Sequence, residues 1–166
     1  TESRYFCLRT VALNAPDEPP VRLLVIDHLA HGISARDAPL TMQTEYTAMI
    51  DELGRLRMNG RAFSSFFIGG GSYSVPRAWA LRGTGPITVA EIDAEVTATA
   101  VRDFWFDPET ATVRHGDARR ILRESDATYD VIVGDAFTDI AVPAHLVTRQ
   151  FFRLVEARLA ADGVFL

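Results

Sequence analysis

The chain has 166 residues, with 17 basic and 22 acidic side chains for a formal net charge of −5, and every basic residue is arginine. The absence of lysine excludes lysine Schiff bases, a Walker-type phosphate lysine and the strand lysine of protein kinases. The single cysteine, Cys7, excludes an internal disulfide and a cysteine-rich zinc site.

The acidic balance argues against a general nucleic-acid coat or an anionic-membrane binder, since both need a basic surface. A hydrophobic share of 48% over this length suits a folded domain with a real core. No stretch approaches the ~18–20 apolar residues of a membrane span, and no signal-peptide pattern opens the chain. The expectation is therefore no direct membrane contact by this segment, no nucleic-acid partner and a cytoplasmic location. The start at Thr1 without an initiator methionine and the stop in Val164-Phe165-Leu166 suggest a segment of a longer protein.

In chain order, Tyr5 to Leu13 and Val21 to Asp27 are rich in β-formers around the turn-like Asn14 to Pro20, which predicts a hairpin. A short polar connector follows, around His31-Gly32 and Asp37-Ala38-Pro39. From Thr41 to Arg57 the apolar residues Tyr46, Met49, Ile50, Leu53 and Leu56 recur at helical spacing, predicting a helix that buries that face. Gly60 closes this N-terminal unit, residues 1–60.

Residues 61–166 then alternate strands with helices. Phe63 to Ile68 is an apolar strand running into Gly69-Gly70-Gly71, with Ser74 the expected cap of a helix through Trp79 and Leu81. Ile87 to Ile92 is the next strand, and Asp93 caps a helix through Val101. Thr112 to His115 is a short strand, with Asp117 at the start of a helix through Leu122. Tyr129 to Val133 reads as a strand covered on both faces. The last helix carries Val147, Phe151, Leu154, Val155 and Leu159 on one side, and Gly163 ends it before a strand at Val164. Trp79 and Trp105 read as core; Arg114, Arg119, Arg120 and Arg123 read as a solvated face.

This order predicts an α/β fold: a doubly wound, Rossmann-like parallel sheet with right-handed crossovers. An N-terminal β-hairpin is appended, and the sheet is expected to be truncated at its C-terminus. The edge exposed by that truncation would be covered by a homodimer or by the rest of a parent chain.

In such sheets the ligand sits beyond the carboxyl ends of the strands, where this sequence places its glycines and acids. The three glycines suit either an ordinary strand-to-helix turn or a backbone cradle at a helix N-terminus. Glu91 lies twenty-two positions after Gly69. It suits a solvated strand end or a carboxylate accepting from both hydroxyls of a ribose. Asp117 is a helix cap or the acceptor of an adenine amino hydrogen. Asp135 is a loop-stabilising aspartate or a carboxylate at the ligand's reactive end. A nicotinamide-dependent dehydrogenase fits less well, because Ser74 stands where its fingerprint needs a third glycine and Asp117 and Asp135 would have no role.

Together these residues resemble the polyamine aminopropyltransferases, the spermidine synthase-like family. The carrying segments are Phe66-Phe67-Ile68-Gly69-Gly70-Gly71, Val89-Ala90-Glu91-Ile92-Asp93, Gly116-Asp117-Ala118 and Tyr129 to Asp135. Val25-Ile26-Asp27, His31-Gly32, Asp37 to Leu40 and Tyr46 resemble the hairpin and gate segment of an atypical bacterial branch.

The resemblance implies a Rossmann-like sheet of the S-adenosylmethionine-methyltransferase type and aminopropyl transfer from decarboxylated S-adenosylmethionine to a small-molecule amine acceptor, with no metal and no tightly bound cofactor. It assigns Glu91 to the ribose, Asp117 to the adenine, Gly69, Gly70, Gly71 and Ser72 to the sulfonium side, and Asp135 to deprotonating the amine. Tyr46, His31 and Asp139 would face the acceptor. The chain departs from the family pattern at Ser72, where an aspartate normally meets the donor's amine, and at Thr47-Ala48, His31 and the displaced Asp139. Ser72 keeps a second reading open, a methyltransferase using S-adenosylmethionine itself. A third is a non-catalytic adenosyl-ligand-binding domain.

Overall fold

A computed structural model describes residues 1–137 and 141–166. Its N-terminal part is a three-stranded antiparallel sheet: β1 (Leu8–Ala12), β2 (Val21–Ile26) and β3 (Leu29–Ala35), with β2 in the centre. The expected hairpin is present, but the segment around His31-Gly32 is a third strand and not a connector. Asp27, at φ 54°, makes the tight turn into it, and its carboxylate accepts from Cys7 N–H at 2.8 Å. Gly32 has a packing reason to lack a side chain: a Cβ there would lie 2.1 Å from Ser72 Oγ.

Helix α1 (Glu45–Met58) ends at Asn59, in the left-handed region at φ 49°, followed by Gly60 at φ 75°. Its buried face differs from the expected one. Met49, Leu53 and Leu56 are exposed, Leu56 by 73%, while Thr47, Asp51, Gly54 and Met58 are buried. The reason is Trp79, which lies against the helix so closely that a Cβ on Gly54 would be 2.8 Å from its Cζ2. Asp51 accepts from Trp79 Nε1–H at 2.7 Å and from Arg82 Nη1–H at 2.8 Å. A small residue and a satisfied carboxylate thus face inward in place of the leucines.

The rest is a five-stranded parallel sheet: β4 (Ser65–Ile68), β5 (Ile87–Glu91), β6 (Thr112–His115), β7 (Tyr129–Gly134) and β8 (Leu159–Phe165), in the spatial order β6-β5-β4-β7-β8. The crossover helices are α2 (Ser74–Arg82), α3 (Ala94–Asp103), α4 (Ala118–Glu124) and α5 (Arg149–Arg158). Strand alternation sends Phe67, Val89, Val131 and Val133 to one face, with Trp79 of α2, Val96 and Ala100 of α3 and Leu8, Leu24 and Ile26 of the N-terminal sheet. Phe66, Ile68, Ala90 and Ile132 go to the other, against Ile121 and Leu122 of α4 and Phe151 and Val155 of α5. The sheet is therefore doubly wound, and its crossovers reverse direction between β4 and β7.

Three local expectations need correction. Ser74 does not cap α2; the N-cap position is held by Tyr73, at φ 55° and with no side-chain cap bond, while Ser74 Oγ bonds Ser34 Oγ and Ser72 Oγ and donates to Ile33 O. Gly163 does not end α5. Leu159 already pairs with Tyr129, and residues 160–163 bulge before Val164 pairs with Val131. Val147 stands outside the buried stripe, at 52% exposure, whereas Phe151 and Val155 are buried. Trp105 is half-buried at φ 58°, with the guanidinium carbons of Arg22 and Arg77 at 5.3 and 5.6 Å from its ring. Asp93 and Asp117 cap α3 and α4 as expected, accepting from Glu95 and Arg120 N–H.

Among the described residues, no helix is long and apolar enough to cross a membrane.

Candidate functional site

The site begins where β4 parts its two neighbours. Gly69 N–H still bonds Ala90 O, and Asp135 N–H bonds Ile68 O, so the turn leaves the sheet at the crossover reversal. Gly69 has φ 92°, and a Cβ there would lie 2.5 Å from Asp135 O, so glycine alone fits. Gly70 is required for space: a Cβ would lie 2.2 Å from the Tyr73 ring. That ring is fully buried, stacked near Phe106 and hydrogen-bonded through its hydroxyl to Thr97 Oγ1 at 2.7 Å. Sequence reasoning missed Tyr73, whose signal was an aromatic next to a glycine run.

Glu91 is 5% exposed at the end of β5. Its Oε2 accepts from Gly70 N–H at 2.8 Å and its Oε1 from Asp93 N–H at 3.0 Å. These bonds lock the carboxylate to both adjacent turns. Burial pushes its pKa above the ordinary value, against the pull of those amide bonds.

Asp117, at the end of β6, accepts from Arg120 N–H through Oδ1 at 2.7 Å while its Oδ2 lies 2.7 Å from His145 Nε2. The cap reading and the pocket reading of this aspartate are thus compatible. Asp135 follows β7. Desolvation, with a smaller push from the Glu91 charge, raises its carboxyl to about 7.

Glu91, Asp117 and Asp135 line one cavity of about 270 Å3, together with Gly69, Gly71 and His31. That size lies just under the ~300–1,000 Å3 usual for small-molecule sites. Its apolar walls come from Ile68, Ala90 and Val96, with Phe6 and Ile26 from the N-terminal part. A second, much smaller cavity of about 10 Å3 adjoins it, lined by Tyr46, Thr47, Ser72 and Ser74. His31, Gly69 and Asp135 belong to both. Asp135 therefore stands at the boundary between a larger and a smaller chamber.

Tyr46 closes the smaller one by donating its hydroxyl to His31 O at 3.1 Å. Burial drives the Tyr46 phenol upward, with the Asp135 charge adding to it. Ser72 does not line the larger cavity. It is 4% exposed and bonded to Ser74 Oγ at 2.7 Å. Asp139 lies outside the described residues. His145, Phe137 and Pro143 are lining residues that sequence reasoning did not single out; they sit between β7 and α5, His145 in a single 3-10 turn over Ala144–Leu146, too short to show a periodicity. Among the described residues, no group of three or more histidine, cysteine or acidic side chains could hold a metal ion.

A larger void of about 730 Å3 lies at the opposite ends of the strands, near Phe63 and Thr84. Its Arg55 and Arg82 are both turned to Asp51, at 3.1 and 2.8 Å. It holds no convergent set of acids and glycines like that at the carboxyl ends.

No family model matches the chain. Among curated proteins it is 36% identical over 117 residues to a polyamine aminopropyltransferase of Vibrio vulnificus, covering 68% of this chain and 39% of that protein. To a polyamine aminopropyltransferase of Moorella thermoacetica it is 33% identical over 109 residues, covering 61% and 38%. The chain thus spans about two fifths of the length of these relatives.

Among solved structures, a probable spermidine synthase from Corynebacterium glutamicum superposes with a TM-score of 0.85 at 22% identity, over 99% of this chain and 61% of that one. A spermidine synthase in complex with the transition-state analogue AdoDATO gives 0.66 at 19% identity, over 98% and 56%. Human methyltransferase-like protein 13 in complex with SAH gives 0.61 at 24%, over 74% and 63%. At these identities the structures establish the fold. The chain is similar to the polyamine aminopropyltransferases in sequence and to spermidine synthases in fold.

Proposed function

We propose that this chain carries the adenosyl-donor site of an aminopropyltransferase, which moves an aminopropyl group from decarboxylated S-adenosylmethionine to a small amine. The observation that carries the reading is the placement of Asp135 at the boundary of the two chambers, with Glu91 and Asp117 spaced along the larger one. Glu91 would accept from the ribose hydroxyls and Asp117 from the adenine amino group. The backbone at Gly69 and Gly71 lets the sulfonium approach closely.

An attacking amine must first lose a proton, because its pKa near ~10.4 keeps it protonated at neutral pH. A carboxylate pushed up to about 7 takes that proton better than an ordinary aspartate. The amine nitrogen then forms its bond to the aminopropyl carbon, the C–S bond breaks, and the electron pair stays on sulfur as a neutral thioether. The chain's share of the work is alignment along that line and acceptance of the proton. Tyr46, His31 and Thr47 line the smaller cavity, which at about 10 Å3 holds no more than a water, so an attacking amine would have to displace Tyr46 from His31 O.

Binding and transfer test different parts of this reading. Calorimetry on the intact chain should show binding of decarboxylated S-adenosylmethionine and of methylthioadenosine; no binding of either sinks the reading. Asp135→Asn should lower the transfer rate by about 10²–10⁴-fold, the usual worth of a general base, while affinity for methylthioadenosine stays within a few-fold. A pure binding domain would show no rate to lose.

The neutral hydroxyl cluster of Ser72, Ser74 and Ser34 favours one competing reading. Where an aspartate would repel a donor carboxylate, Ser72 carries no charge to do so, as a methyltransferase acting on S-adenosylmethionine requires. A clear preference for the decarboxylated donor in the same calorimetry rules that out.

A further inference from the structure

His145 is held on the wall of the larger cavity by two bonds to the first turn of α4. Its Nε2 lies 2.7 Å from Asp117 Oδ2, and its carbonyl accepts from Arg119 Nη1–H at 3.1 Å. Asp117 is held from the other side by Arg120 N–H on Oδ1. Both carboxylate oxygens therefore carry one donor each, and each keeps one lone pair. His145 and Asp117 are partly exposed and line the same cavity as Glu91. Because an ionised carboxylate only accepts, the imidazole must carry its proton on Nε2 to make this bond.

We propose that His145 is a positioning residue for base selection: by fixing the orientation of the Asp117 carboxylate, it makes the cavity select a purine bearing an amino group over one bearing a carbonyl at the same place. The inference rests on the adenosyl reading of the cavity. With both of its oxygens held, the carboxylate cannot swing about its Cβ–Cγ bond, so its free lone pairs occupy fixed positions. An amino group meeting them donates. A carbonyl oxygen meeting them places lone pair against lone pair and leaves a polar group unpaired as the ligand covers it. Without His145, the carboxylate keeps only the Arg120 anchor and can turn, and water can enter on the side the imidazole covered.

The test compares 5′-methylthioadenosine with 5′-methylthioinosine, which carries a carbonyl in place of the amino group and a proton on the adjoining ring nitrogen, on the intact chain by calorimetry. The unsubstituted chain should prefer the amino nucleoside by about 10²-fold, below the ~10⁴ of fully enclosed polar discrimination because the pair is partly open to solvent. His145→Ala should shrink that preference by about tenfold or more, mostly by weakening methylthioadenosine. His145→Gln, whose amide N–H can reach the same oxygen, should keep most of it. A preference unchanged in His145→Ala, or one lost equally in His145→Gln, overturns the role of His145 while leaving the adenosyl site standing. Failure of the unsubstituted chain to bind either nucleoside overturns the adenosyl reading and this inference with it.

Discussion

A carboxyl raised to about 7, as Asp135 is, makes activity and stability respond to pH in opposite directions. Proton removal from the amine needs the ionised form, so transfer should rise as pH passes through about 7. Folding favours the protonated form, since the native state holds this proton above the ordinary value of 3.8. Between those two values the folded chain binds more protons than the unfolded one, so stability is full below 3.8 and is lost as pH climbs through about 7. Thermal melts from pH 4 to 8 should show Asp135→Asn gaining on the unsubstituted protein as pH rises, with little difference at the acid end. Glu91, also raised by burial, adds a slope of the same sign that survives in the variant. Parallel melting curves across the range would mean that Asp135 is not held in its protonated form.

At the scale of elements, α1 shows how a regular apolar pattern can mark the wrong face. Gly54 is pressed on Trp79, so Gly54→Val must displace a fully buried indole and should cost about 1–3 kcal/mol, as overpacking does. Leu56→Ser, on the face that the periodicity selects, should stay within about 0.5 kcal/mol, as exposed substitutions do. Urea denaturation of the two variants decides between the faces; a reversal of the order would restore the leucine face as the buried one. Asp51 and Gly54 carry no hydrophobic signal, and only the tertiary position of Trp79 explains their burial. Strand β3 escaped for a related reason, because Gly32 is there to admit Ser72 from across the molecule. Strands β4, β5 and β7 were legible because burial on both faces writes itself as continuous apolar runs ending in glycine or an acid. For the same reason, Glu91, Asp117 and Asp135 could be placed at one sheet edge from sequence alone. His145 and Tyr73 could not, since their places depend on a loop path and on a left-handed turn.

At the scale of the whole molecule, the two sheets are joined by a polar clasp as well as by a shared core. Arg22 of β2 pairs with Asp103 at 3.1 Å and lies on one side of Trp105, Arg77 of α2 also lies over that ring, and Thr10 Oγ1–H of β1 bonds Asp103 at 2.9 Å. Trp105 does not line the cavity, but the N-terminal part it helps to dock supplies Phe6 and Ile26 to the cavity wall. Trp105→Ala removes two cation–π contacts, each worth about 0.5–1 kcal/mol at partly exposed sites, together with the packing of the indole. Stability should therefore fall by about 1–2 kcal/mol by this count. If docking of the antiparallel sheet shapes the cavity, methylthioadenosine affinity should fall with it, by several-fold, although no ligand contact has been touched. Calorimetry and denaturation on the one variant separate the two effects. Lowered stability with unchanged affinity would show that the carboxyl ends of the parallel strands form the adenosyl site without help from this clasp.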